Sequence, residues 1–184
     1  MKKQIVTVIG ADSPGILAAV SGIISDAGGN IEDISQTILQ DEFAGIFIIT
    51  MPEGYNMAEF EKRFQSALSP KGLQFYIKSI EHSLATSDQP KSQPFVITTT
   101  GPDRTGLVAG ITSIIAASGV NITNFRAVFR GGENPLDNIM FYEVDVPESI
   151  SHVKFAEELR AYARRLSLEI NIQHRYIFEA INKI

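Results

Sequence analysis

The apolar positions of this chain switch repeatedly between two periods. Residues 4–9 form a short β-rich run that stops at Gly10, and from Pro14 onward Ile16, Leu17, Val20, Ile23 and Ile24 recur at helical spacing. That helix is predicted to stop at Gly28 and Gly29, where glycine suits a left-handed terminal residue. Two strands follow, over 30–40 and 43–51, joined by a tight polar turn. A second helix carries Met57, Phe60, Phe64, Ala67 and Leu68 on one face, and a last strand runs over 73–82. The whole order then recurs: a strand over 95–100, a helix over 105–118, and strands over 121–130 and 139–146. A helix bearing Phe155, Ala156, Leu159, Ala163 and Leu166 comes next, then a strand from Leu168. The second hairpin is longer, with residues 131–137 in place of the short turn. Residues 83–94 are polar, with two prolines and no periodicity, which predicts a linker between modules spanning 1–82 and 95–184.

The recurrence extends to individual residues. Gly10, Asp12, Gly15, Gly28, Asn30 and Ile31 return as Gly101, Asp103, Gly106, Gly119, Asn121 and Ile122, and 9 of 22 positions are identical between 10–31 and 101–122. A repeat of this length is a domain duplication rather than a solenoid unit. Since loop Gly, Asp and Asn are copied along with core aliphatics, the duplicated object is expected to carry a site as well as a fold. The order β-α-β-β-α-β is the ferredoxin-like split motif of the α+β class, an antiparallel four-stranded sheet with two helices on one face. Such a sheet leaves its other face and its edges uncovered. Pairing between modules, or between copies of the chain, answers both problems, so a homo-oligomer is expected and an interface between modules is the favoured place for a pocket.

Composition narrows the function. With 184 residues, 44% apolar and 20% charged, each module can hold a modest core. The formal charge of −5 argues against a nucleic-acid surface. Zero cysteines remove disulfides, thiolate metal sites and cysteine nucleophiles. The first apolar run is too short for a signal peptide and no stretch approaches membrane-spanning length, so a cytoplasmic location is expected. His82, His152 and His174 fall outside metal-ligand spacings. Glu32-Asp33 and Glu157-Glu158 are adjacent pairs whose side chains diverge, which excludes them as acid/base dyads. The run from Gly10 to Gly15 lacks the middle glycine of a dinucleotide fingerprint.

Asp12-Ser13-Pro14-Gly15-Ile16-Leu17, then a helix, then Gly28-Gly29-Asn30-Ile31 resembles the signature of ACT domains, small regulatory modules that bind amino acids. Asp103-Arg104-Thr105-Gly106-Leu107-Val108 through Gly119-Val120-Asn121-Ile122 is similar, with Thr105 where proline is commoner. The resemblance covers nearly the whole chain. Two such modules without a catalytic or DNA-binding domain resemble the glycine cleavage system transcriptional repressor family. That likeness implies a non-enzymatic sensor of a small amino acid, glycine foremost, acting on a regulator protein or enzyme, with no cofactor. Formyltetrahydrofolate deformylase carries one such module, but its catalytic domain has no counterpart here.

The residues themselves favour binding over chemistry. Where a strand gives way to a helix within a few residues, unpaired N–H groups at the positive end of the helix dipole suit a carboxylate. Gly15 and Gly106 lack a side chain where a ligand would approach. Asp12 or Ser13, and Asp103, are candidates either to cap the helix or to receive a ligand ammonium, with Pro14 in the first turn. Asn30 and Asn121 either stabilise a turn or, as the ACT resemblance implies, contact a bound amino acid across a module interface. Arg104 is a candidate partner for a ligand carboxylate, or a solvated loop residue. The implied ligand set is completed by Ser13, Pro14, Ile16, Ile31, Thr105, Leu107 and Ile122. Two other classes remain. An RNA-binding module of the same strand order would use Phe43 and Phe47 for stacking, and a regulatory subunit would serve an amino-acid or one-carbon metabolic enzyme. No nucleophile, base and orienting group can be assembled into a small enzyme.

Overall fold

The structure, a computed structural model, describes residues 2–80, 91–128 and 138–181. The chain divides into two compact units, 1–86 and 87–184. The first contains β1 (Lys2–Ala11), α1 (Ile16–Asp26), β2 (Asn30–Leu39), β3 (Glu42–Met51), α2 (Met57–Leu68), a single 3-10 turn (Ser69–Lys71) and β4 (Gln74–Ser79). The second contains β5 (Ser92–Gly101), α3 (Leu107–Ala117), β6 (Asn121–Val128), β7 (Asn138–Pro147), α4 (His152–Arg165), β8 (Glu169–His174) and α5 (Arg175–Ile181). The sheets run β2-β3-β1-β4 and β6-β7-β5-β8, antiparallel throughout. Each unit is thus the expected ferredoxin-like module.

Strict alternation decides which face each sheet buries. On β3, Phe43, Phe47, Ile49 and Met51 are buried beside Val6 and Val8 of β1. Ile16, Val20 and Ile24 of α1 and Phe60, Phe64 and Leu68 of α2 complete this core, so both helices cover one face. Phe60 meets Phe64 edge-on with centroids 4.9 Å apart, a favoured aromatic geometry. Asn56 caps α2 by accepting hydrogen bonds from the N–H groups of Ala58 and Glu59, and Ser151 caps α4 by accepting from Lys154. In the second core Tyr142 stands where Phe47 stands in the first. Its phenol is fully buried, donates to Met140 Sδ at 3.4 Å, and is pushed up to about 12 by burial.

The duplication includes an irregularity. In both modules the second strand slips by one residue against the third, between Ile31 and Asp33 and between Ile122 and Asn124. This is a β-bulge, which re-aims the side chains beyond it. After it, Ile34 faces Phe47, Gln36 faces Gly45 and Ile38 faces Phe43, all on the helix side.

Several boundaries differ from expectation, among them the end of β4 at Ser79 rather than 82. β5 begins at Ser92, so residues 92–94, assigned above to the linker, are strand; β8 pairs only from Phe95 onward, so Pro94 has a strand on one side alone and its missing N–H breaks no ladder. The strand from Leu168 stops at His174 and turns into α5, which the apolar spacing did not announce. The helices start later than proposed, at Ile16 and Leu107. The long hairpin over 131–137 and most of the proposed linker lie outside the described residues.

One polar residue in the second core has no evident role. Thr99 is fully buried, its Oγ1 has no hydrogen-bond partner among the described residues, and its counterpart in the first module is the core residue Val8. A buried hydroxyl without a partner is costly. Thr99→Val is therefore expected to raise stability by about 1 kcal/mol, measured as a later denaturation midpoint; a lower midpoint would contradict the assignment.

Candidate functional site

The turn into each first helix is built on a glycine. Gly15 and Gly106 are the residues preceding α1 and α3, both with φ of 90° and neither helix receives a side-chain cap. Capping by Asp12, Ser13 or Asp103 is thereby corrected. The left-handed glycine itself makes the turn: the Ala19 N–H donates to the Gly15 carbonyl and the Gly110 N–H to that of Gly106, each at 2.9 Å. Asp12 belongs to the strand end, where its N–H donates to the Asp41 carbonyl at 2.8 Å. Pro14 likewise precedes the helix rather than occupying its first turn. A Cβ on Gly15 or Gly106 would meet nothing within 4 Å, so the backbone angle, not crowding, demands glycine.

In α1 the first-turn N–H groups are left to an outside acceptor, whereas in α3 the Leu107 N–H donates to the Arg104 carbonyl at 3.4 Å. The α1 terminus borders a groove of about 440 Å³ lined by residues 12–18 and by Gln36, Ile38 and Phe43. Asp12 is exposed and forms no ion pair with a described residue. Ser13 is half-buried, Pro14 and Gly15 are exposed, and Ile16 is an anchor of the core that still borders the groove. A zwitterion matches this arrangement: carboxylate on the helix terminus, ammonium beside Asp12. In the second module Asp103, Arg104, Thr105 and Gly106 are all exposed, while Leu107 is buried as the partner of Ile16 in the repeat.

The sequence reading missed Gln36 and Ile38. They reach the groove only because of the bulge, and Gln36 is replaced by Ala127 in the second module, so the repeat gave no signal. The counterpart of Ile38 falls at residue 129, outside the described residues. Asn30 and Asn121 are exposed, and Ile31 and Ile122 pack partly against the cores. These four stand beyond the C-terminal end of the first helix of their module. Eleven residues of helix, about 16 Å at 1.5 Å per residue, separate them from the loop of the same module. Asn121 and Ile122 instead border a shallow groove with Thr112, Ser113 and Val120. Within one module the two halves of the implied ligand set are therefore not brought together.

Among the described residues no group of three or more His, Asp or Glu is placed to hold a metal ion, and no helix is long and apolar enough to cross a membrane. His152 and His174 each meet Phe95 edge-on, at 5.0 and 5.3 Å between centroids. Phe43 and Phe47 are buried on the helix side of their sheet, where no base can stack on them.

The duplicated fold is a ferredoxin-like module used twice, each copy with a glycine-built turn into its first helix. The ACT-domain family model matches residues 3–78 and 93–173, and the chain belongs to that family. Its general role follows: an amino-acid-sensing regulatory protein rather than a catalyst. A UPF0237 protein of Methanopyrus kandleri is 37% identical over 79 residues, which take 42% of this chain and 88% of that protein. The crystal structure of an unknown protein from Galdieria sulphuraria matches with a TM-score of 0.75 at 19% identity, covering 94% of this chain and 98% of its own. A putative glycine cleavage system transcriptional repressor matches with a TM-score of 0.68 at 18% identity, covering 94% and 96%. At these identities the last two establish the fold alone.

Proposed function

We propose that this chain senses a small amino acid, glycine first among them, through the two glycine-built helix termini, and relays occupancy to a partner that controls glycine cleavage. The observation that carries the reading is the uncapped terminus of α1 opening on a groove beside the unpaired Asp12 carboxylate, with its loop repeated before α3. The choice of glycine rests on the resemblance to the glycine cleavage repressor family, not on the groove's size. Asn30 and Asn121, remote from the loop of their own module, act in this reading on a ligand held by another module, which makes assembly ligand-dependent. The partner is a regulator protein, or an amino-acid or one-carbon metabolic enzyme.

Calorimetry of the full chain against the standard amino acids tests the reading. Glycine is expected to give saturable heat, and Asp12→Ala with Asp103→Ala to weaken it about tenfold. Sedimentation with and without glycine is expected to show a several-fold change in self-association, removed by Asn30→Ala with Asn121→Ala. Saturable heat from a different amino acid alone overturns the choice of glycine. Unaltered assembly, together with unaltered affinity for every candidate partner, reduces the chain to a passive binder.

A further inference from the structure

The face of the second sheet opposite α3 and α4 carries a cavity of about 910 Å³ that shares no lining residue with either glycine-built loop. Its floor is Val96 of β5 and Phe141 of β7, and α5 walls it with Phe178 and Glu179. Two arginines and two glutamates border it. One pair is satisfied internally: Arg175 meets Glu143 at 3.1 Å, and Asn124 donates to the same carboxylate at 3.0 Å. Arg126 and Glu179 have no ion pair or hydrogen bond among the described residues, and the buried Nε of Arg175 lacks an acceptor there. The cavity therefore presents one open cationic group and one open carboxylate over an aromatic and aliphatic floor.

None of this is required by the fold. At the equivalent positions the first module has Ser35 for Arg126, Asp33 for Asn124, Ile46 for Phe141 and Ile48 for Glu143, and its sheet forms with the same order and register. Neither guanidinium nor the polar pair thus serves the sheet itself. A cavity within the range of small-molecule sites, mostly apolar with a few convergent polar groups, is the general form of a ligand pocket.

We propose that the cavity between the second sheet and α5 is a second binding site, for a zwitterionic amino acid with a planar or branched apolar side chain. The ligand carboxylate is received by Arg126, the ammonium by Glu179, and the side chain lies between Phe141 and Phe178. The site goes beyond the glycine-sensing reading and stands without it, because it shares no residue with the two loops.

The test is an NMR titration of the full chain with L-phenylalanine, 3-phenylpropionate and phenethylamine. Phenylalanine is expected to shift the amide signals of Val96, Phe141, Gln173 and Phe178 saturably. Each single-charge analogue is expected to bind about tenfold more weakly, as are the variants Arg126→Ala and Glu179→Gln toward phenylalanine. Arg126 and Glu179 are exposed, so neither variant threatens folding. Signals that move only in residues 12–18 or 103–108, or none that move, overturn the proposal. So do analogues that bind as well as phenylalanine, which reduce the cavity to an apolar patch. Glycine binding at the loops is expected to survive Arg126→Ala, so the failure of either site is read separately.

Discussion

Valine at Gly15 or Gly106 is expected to abolish amino-acid binding in the affected module and to destabilise that module by about 1–3 kcal/mol. From the sequence, a bulky residue at this loop tip is expected to remove binding while sparing the fold. The φ of 90° adds a conformational cost to that expectation. A β-branched residue is poorly accommodated in the left-handed region, although a Cβ finds open space there. Gly15→Asn separates the two effects, since asparagine tolerates positive φ. It is expected to keep most of the stability while placing an amide across the helix terminus and weakening the ligand. Calorimetry and a denaturation curve on both variants make the comparison. A valine variant with unchanged affinity excludes the loop as the site.

Phe47→Ala is expected to produce the largest stability loss, about 3–5 kcal/mol. Phe47 is fully buried at the middle of β3, beneath both helices, and its removal leaves a void that neighbouring rings cannot fill without leaving their rotamers. A denaturation midpoint close to that of the parent chain would place Phe47 outside the core. The measurement also bears on RNA binding, since a base-stacking aromatic is exposed and its loss costs little stability. Tyr142 occupies the matching place in the second module and stays buried there despite its hydroxyl, which shows how firmly this position belongs to the interior.

The element order was legible because each element repeats its period cleanly. Val6 and Val8 alternate on β1, and Phe60, Phe64 and Leu68 return at four-residue spacing on α2. The duplication then made each half a check on the other. Legibility failed where a local preference lost to a neighbour. Pro94 suggested linker, yet it sits in β5 because the strand on one side begins only at Phe95. Aspartate is a favoured cap, but Asp12 is tied into the strand end and the glycine after it sets the turn. α5 has no counterpart in the first repeat among the described residues, and its short apolar run fits a strand as well as a helix. At the candidate site the loop was readable from the copied glycines and aspartates. Its far wall was not, since Gln36 and Ile38 approach it through strand pairing rather than proximity in the chain.

The bulge shared by β2 and β6 bears on how such a duplicated gene can drift. The halves differ in residue type at many positions, even on the groove wall, where Gln36 stands opposite Ala127 in the repeat. Length behaves otherwise. Counting from Asn30, every residue past the slip owes its face to the single extra position there, so losing one codon would turn Ile34, Gln36 and Ile38 away from the helices and send Asp33 and Ser35 inward. The extra residues of the second hairpin fall between Val128 and Ile139 and leave the register of that pair intact. Insertions and deletions in this lineage are therefore expected to collect at that hairpin and between the modules, and to spare the stretches from Asn30 to Leu39 and from Asn121 to Val128.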